Sequence, residues 1–232
     1  MTSTYKLLID FIKQPYNEII ETSWQQKMIL SAKLIYFYFA AALVLALCVA
    51  LPLTLLLEKN GIEIVNLASP ENLYARFGKY TLLIVGLIVP IVEECMFRLP
   101  LSFKKRDILL SIVAILGYIV LFIDSSFFIL SAIVLCGGLV FYLLARQKQE
   151  GFDKVKGLYG KYILYFSIIL FAVAHLTNFE SFEISLLPIY LLFLTPLFVM
   201  SLIITFVRMR MGFIFAVLFH ILNNTVVILL GS

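Results

Sequence analysis

Seven long apolar stretches, parted by short charged or turn-forming segments, constrain this chain more than any other feature. They lie at about 34–57, 80–103, 107–123, 127–145, 162–178, 184–206 and 211–230, and a helix needs about 20 mainly apolar residues to cross a bilayer. The runs are continuous, whereas a transmembrane barrel alternates polar and apolar residues, so the spans are helices. The chain is 62% hydrophobic and only 14% charged, against about half and about a quarter in soluble domains. The expectation is an all-α polytopic membrane protein of about seven transmembrane helices, with no room for a separate soluble domain. It falls into an N-terminal cytoplasmic or interfacial segment (1–33), a first span with an external loop (34–79) and a core (80–232).

The net charge of +4 is small, and its distribution points to membrane orientation rather than to nucleic acid. Lys6, Lys13, Lys27 and Lys33 precede the first stretch; Lys104, Lys105 and Arg106 follow the second. Arg146, Lys148, Lys154, Lys156 and Lys161 follow the fourth, and Arg208 and Arg210 follow the sixth. With seven spans all four basic segments share one side, and the opposite loops carry Glu58, Glu63, Glu71, Asp124, Glu180 and Glu183. The basic side is cytoplasmic, so the N-terminus is inside and the C-terminus outside. Residues 1–30 lack the early apolar core of a cleavable signal peptide. Leu8, Phe11, Ile12, Pro15 and Ile19 recur at helical spacing, which suits an amphipathic helix on the membrane surface or a solvated lead-in, with Pro15 interrupting the helix.

The only two histidines, His175 and His220, sit inside apolar stretches, and a carboxylate pair, Glu93 and Glu94, sits inside another. Ionisable groups at membrane depth are costly, face a bundle interior or a wet cavity, and point to function. At about 1.5 Å rise per residue from the cytoplasmic boundary, Glu93 lies roughly 16 Å deep, His175 roughly 20 Å and His220 roughly 14 Å. Three groups far apart in sequence thus reach one level, and the expectation is a polar intramembrane chamber. Residues four apart share a helix face. Glu94 can therefore pair with Arg98, leaving Glu93 about 100° around on the side of Phe97 without such a local partner. Phe171 shares a face with His175, and His220 with Asn224. Pro90 removes a backbone hydrogen bond before the Glu pair, which suits a kink in the second span and equally ordinary membrane packing. Gly137 and Gly138 suit close helix packing in the fourth. Cys48, Cys95 and Cys136 show neither disulfide nor zinc-cluster spacing, and Cys95, beside the Glu pair, reads as a small buried apolar residue in preference to a nucleophile.

The motifs Glu93-Glu94-Cys95-Met96-Phe97-Arg98, Phe171-Ala172-Val173-Ala174-His175 and His220-Ile221-Leu222-Asn223-Asn224 resemble, in order, those of the CPBP (Abi) family. That family includes the type II CAAX prenyl endopeptidases, and the resemblance covers roughly residues 80–230. It implies an intramembrane endopeptidase in the bacterial cytoplasmic membrane, acting on membrane-associated or lipidated proteins or peptides. Glu93 would be general base assisted by His175, His220 and Asn224 would steady the oxyanion, and Glu94 and Arg98 would orient the site. Zinc held by Glu93, His175 and His220 and a metal-free glutamate mechanism both stay open. So does a non-catalytic role, as a membrane scaffold or a bacteriocin-immunity-type interaction protein, since some relatives act in those ways. A transporter is disfavoured by the lack of internal repeats. A bis-histidine haem protein would leave the Glu pair and Asn224 without a purpose.

Overall fold

The computed structural model describes residues 4–16, 23–122, 127–180 and 183–230. Its helices are α1 (Thr4–Lys13), α2 (Trp24–Leu45), α3 (Leu51–Lys59), α4 (Pro70–Phe77), α5 (Val89–Phe97), α6 (Lys105–Phe122), α7 (Phe127–Arg146), α8 (Gln149–Ala174), α9 (Leu187–Phe193), α10 (Thr195–Met211) and α11 (Phe213–Leu230). Among the described residues the strand pairing is a single antiparallel bridge between Asn66 and Phe179. The turn expected at Asp124–Ser126, and Ile19 of the N-terminal pattern, lie outside the described residues.

Proline sets many of the boundaries. Pro15 follows the end of α1, Pro70 opens α4, and Pro52, Pro90, Pro188 and Pro196 are the second residues of α3, α5, α9 and α10. At Pro70, Pro188 and Pro196, close to the start of a helix, the missing N–H costs little. Upstream of Pro52 and Pro90 the chain does not break; it widens into π-helical segments, Ala46–Ala50 and Leu82–Ile88. The residues four before these prolines, Cys48 and Gly86, lie inside those segments, so the wider turn relieves the clash between ring and carbonyl. In place of a kink at Pro90 there is thus a π segment, and the sharp bend of 104° comes earlier, between Pro70–Tyr80 and Leu82–Phe97.

Four helical runs are long and apolar enough to cross a membrane: Trp24–Lys59, Ile129–Arg146, Gln149–Asn178 and Phe213–Leu230. Two bent pairs raise this to as many as six, the one at Tyr80 and Ile184–Phe193 with Thr195–Met211, bent by 53°. Each of the seven apolar stretches coincides with a helix; α6, which opens on Lys105, Arg106 and Asp107, is the one outside that set. Large apolar side chains are exposed along α2, α7 and α8, as lipid-facing surfaces are. The protein is an all-α polytopic membrane protein. The fifth stretch begins earlier than expected. α8 runs unbroken from Gln149 through the polar residues up to Lys161, with Gln149 Nε2 donating to Asp153 Oδ1 at 2.9 Å one turn on.

The chain divides into two compact units. The first comprises Met1–Pro90 and Ile168–Ser232. In it α10 is the most enclosed helix, packed by α11, α2 and α1. Phe11 of α1 is fully buried and meets the Phe206 ring edge-on at 5.5 Å, and Arg210 donates to the Gln14 carbonyl at 2.9 Å. The apolar face of α1 therefore packs against protein, where the sequence suggested a membrane surface or solvent. The loops after α3 and α8 join: Leu67 N–H donates to the Asn178 carbonyl (2.7 Å) and Glu180 N–H to that of Val65 (3.1 Å). Segment Leu82–Ile88 lies close on α11; a Cβ added at Gly86 would come within 3.3 Å of Thr225 Oγ1.

The second unit is Ile91–Ser167. Here α6 packs on α7, and a Cβ at Gly137 would run into Leu116, whereas Gly138 faces open space. Only the first of the two glycines is needed for the close helix approach.

Candidate functional site

The second unit carries the carboxylates. α5 ends at Phe97, and its last carbonyls are satisfied by hydroxyls from neighbouring helices rather than by more helix. Ser111 Oγ donates to the Met96 carbonyl at 3.0 Å, and Ser167 Oγ to that of Phe97 at 2.7 Å. The chain then turns through the short 3-10 segment Leu99–Ser102 to Phe103, whose φ of 57° is left-handed. Gln149 staples that turn, donating to the Phe103 carbonyl (2.9 Å) and accepting from the Lys105 N–H (3.0 Å).

This framework holds Glu94 and Arg98, both fully buried, with Arg98 Nη1 3.5 Å from Glu94 Oε1. Two desolvated charges are tolerable only when paired, so the pair ties the end of α5 to the interior. Glu93 is half-buried, and Arg98 feels its charge as well as that of Glu94, the latter more strongly. Spacing alone had left Glu93 without a local partner; in the fold both carboxylates act on one guanidinium. Cys95, between them and Phe97, is half-buried and not in a disulfide.

The first unit carries the histidines. α8 tightens at Ala174 into a 3-10 turn, and His175 is its first residue. His175 Nδ1 lies 2.7 Å from the Phe171 carbonyl. A carbonyl only accepts, so Nδ1 carries the proton, and in the neutral ring Nε2 is left with its lone pair. His220, only 1% exposed on α11, meets the Phe171 ring edge-on with centroids 5.7 Å apart, and His175 lies 4.7 Å from that same ring. Phe171 is itself fully buried. The two histidines are thus no farther apart than those two separations combined, and neither is turned away to lipid on its own.

Asn224 donates through Nδ2 to the Val85 carbonyl at 3.2 Å, in the π segment where the backbone ladder is disturbed. Its Oδ1 accepts from Asn223 Nδ2 at 3.2 Å. Asn223 is the more deeply buried of the two and lies 2.9 Å from Met200 Sδ. The sequence reading passed over Asn223, although three-residue spacing from His220 gives it the same claim to that helix face as Asn224.

A cavity of about 360 Å³ opens in the same unit. His175 lines it together with Thr54, Glu58, Glu63, Asn66 and Asn178, and its apolar walls include Leu57, Phe179 and Leu194. None of the loop residues among these stood out from the sequence as more than outer-side charge or turn.

Of the predicted site residues, then, Glu93, Glu94 and Arg98 belong to one unit, and His175, His220 and Asn224 to the other. Among the described residues no three His, Cys, Asp or Glu side chains are grouped to hold a metal ion.

The fold and these groups define a helical membrane protein that carries buried polar and ionisable side chains on its helices. A family model described as "Type II CAAX prenyl endopeptidase Rce1-like" matches residues 76–226, well over half of the chain. The chain belongs to that family, and membership supports protease activity at the level of the family. No curated protein and no solved structure matches it.

Proposed function

We propose that this protein is an intramembrane endopeptidase that hydrolyses a peptide bond in a membrane-associated or lipidated protein or peptide. The observation that carries the reading is His175: its Nδ1 proton is committed to the Phe171 carbonyl, and its ring lines a cavity large enough for a stretch of peptide. Nε2 is then the ring nitrogen through which His175 can accept a proton. Glu93 is the general base that draws the proton from the attacking water, assisted by His175. As the oxygen adds to the carbonyl, charge builds on the carbonyl oxygen, and hydrogen bonds from His220 and Asn224 steady it. The proton then passes to the leaving amine. Glu94 and Arg98 hold the carboxylate end of the site in place. This mechanism requires Glu93 to meet the histidines, and their similar depths along the sequence, within about a helical turn, support that.

The test is hydrolysis of lipidated and unlipidated apolar peptides by the purified protein in detergent, read by the appearance of new amino termini. His175→Ala is expected to lower turnover by about 10²–10³-fold, within the range for loss of an acid–base group. Dialysis against a chelator is expected to leave activity unchanged, and loss that zinc restores would replace this mechanism with a metal-assisted one. Wild-type turnover by His175→Ala would defeat the catalytic reading and leave the scaffold alternative.

The same reading places the N-terminus in the cytoplasm. The basic segments favour it, and the pairing of the 65–67 loop with residues 178–180 supports a common side for the connections after α3 and α8. Reporter fusions should place residue 150 inside and residue 232 outside. Finding residue 150 and the C-terminus on one side would rule out seven spans.

A further inference from the structure

The cavity beside His175 combines a mouth and walls of opposite character. Glu58 and Glu63 line it and are exposed. Beneath them Leu57, Phe179 and Leu194 form apolar walls. No lysine or arginine is among the lining residues, and Lys59, next to Glu58, lies outside them. One flank is main chain: residues 62–66 run to the Asn66–Phe179 bridge. Among the described residues the N–H groups of Glu63 and Ile64 make no backbone hydrogen bond. Main-chain groups left unpaired next to apolar pockets can bond to an extended peptide, the main chain giving affinity and side chains giving specificity.

We propose that this cavity is a recognition site for an extended polypeptide segment bearing a lysine or arginine next to apolar residues, with Glu58 and Glu63 receiving the cation. The inference rests on the endopeptidase reading and narrows its substrate class: the favoured substrate carries basic residues where its apolar stretch ends, on the side of the 58–66 loop. Two carboxylates next to apolar walls fit a basic-apolar peptide and disfavour an acidic one. Residues 62–66 would pair with the peptide as a second strand does, and the apolar side chain would settle on Leu57 and Leu194. His175 lines the same space, so a peptide held there passes beside the imidazole.

The experiment measures binding, independently of hydrolysis. The probe is a fluorescein-labelled, leucine- and alanine-rich peptide ending in Lys-Arg, with a twin ending in Glu-Glu. Both are titrated by anisotropy against the protein in phosphatidylcholine nanodiscs at low salt. The basic peptide should bind about tenfold more tightly than its acidic twin, since each exposed ion pair is worth up to about fivefold. The double variant Glu58→Gln/Glu63→Gln should abolish that preference and the salt dependence of binding. Both positions are exposed, so the fold should persist, and the peptide swap leaves the protein untouched altogether. Equal binding of the two peptides, or a preference that survives the double variant, would overturn the proposal. So would displacement of the basic peptide by phosphatidylethanolamine nanodiscs, which would make the site one for a lipid amine. A protein that binds basic peptides selectively but cleaves nothing would sustain this inference and defeat the endopeptidase reading. Cleavage without preference for a basic segment would do the reverse.

Discussion

Glu93→Gln should abolish peptide cleavage while leaving the protein folded. Glutamine keeps the size of the side chain and most of its hydrogen bonding but cannot take a proton from water. General base catalysis is worth about 10²–10⁴-fold, so turnover should fall by that factor. Stability should be nearly unchanged, for a reason specific to this fold. Arg98 feels both carboxylates, but its close partner is Glu94, 3.5 Å away, with both side chains fully buried. Removing the weaker of the two influences leaves the buried ion pair intact. The measurement is a cleavage assay run beside thermal unfolding in the same detergent. If Glu93→Gln turns over peptide at the wild-type rate, water activation by this carboxylate is excluded. A large fall in unfolding temperature would instead make Glu93 a second structural partner of Arg98.

What could be read from the sequence divides along the range of the interactions. The apolar runs placed a helix at each of the seven stretches, because burial in lipid dictates hydrophobic content residue by residue. Glu94 with Arg98 was legible because a four-residue spacing is a local property of a helix. The contact of both histidines with Phe171 was legible only in part. Phe171 and His175 are one turn apart, but His220 reaches the same ring through tertiary packing of α11, which no spacing rule states. The start of α8 at Gln149 does not show in hydropathy, because residues 149–161 continue the helix outside the apolar run. The π segments before Pro52 and Pro90 are hidden for a different reason. A proline announces a disturbed ladder but not whether the chain will kink or widen. The cavity depends on the 62–66 loop meeting residues 178–180 across more than a hundred residues of sequence. Glu58 and Glu63 could therefore be read as outer-side charges and not as lining residues.

Glu94→Gln should behave in the opposite way to Glu93→Gln, with loss of stability leading and loss of activity following. The substitution would leave Arg98 fully enclosed without its close anionic partner. Removing one partner of a buried pair typically costs about 3–5 kcal/mol, because the remaining charge stays desolvated. Here the nearby Glu93 offers partial compensation, so Arg98 should draw that carboxylate toward itself and away from the water it is proposed to activate. One change therefore damages both properties through a single guanidinium. The consequence can be checked by a double variant. Replacing the pair with apolar side chains, Glu94→Leu with Arg98→Met, removes both charges at once, and such exchanges are often neutral or stabilising. Unfolding of the wild type, Glu94→Gln and the double variant, followed in one detergent, should give a low midpoint for the single change and a recovered one for the double. Activity should not recover with it, because the apolar replacement keeps the end of α5 folded but no longer orients Glu93. A Glu94→Gln protein as stable as the wild type would show that the ion pair does not hold this turn. The bonds from Ser111, Ser167 and Gln149 would then be sufficient to fix the end of α5.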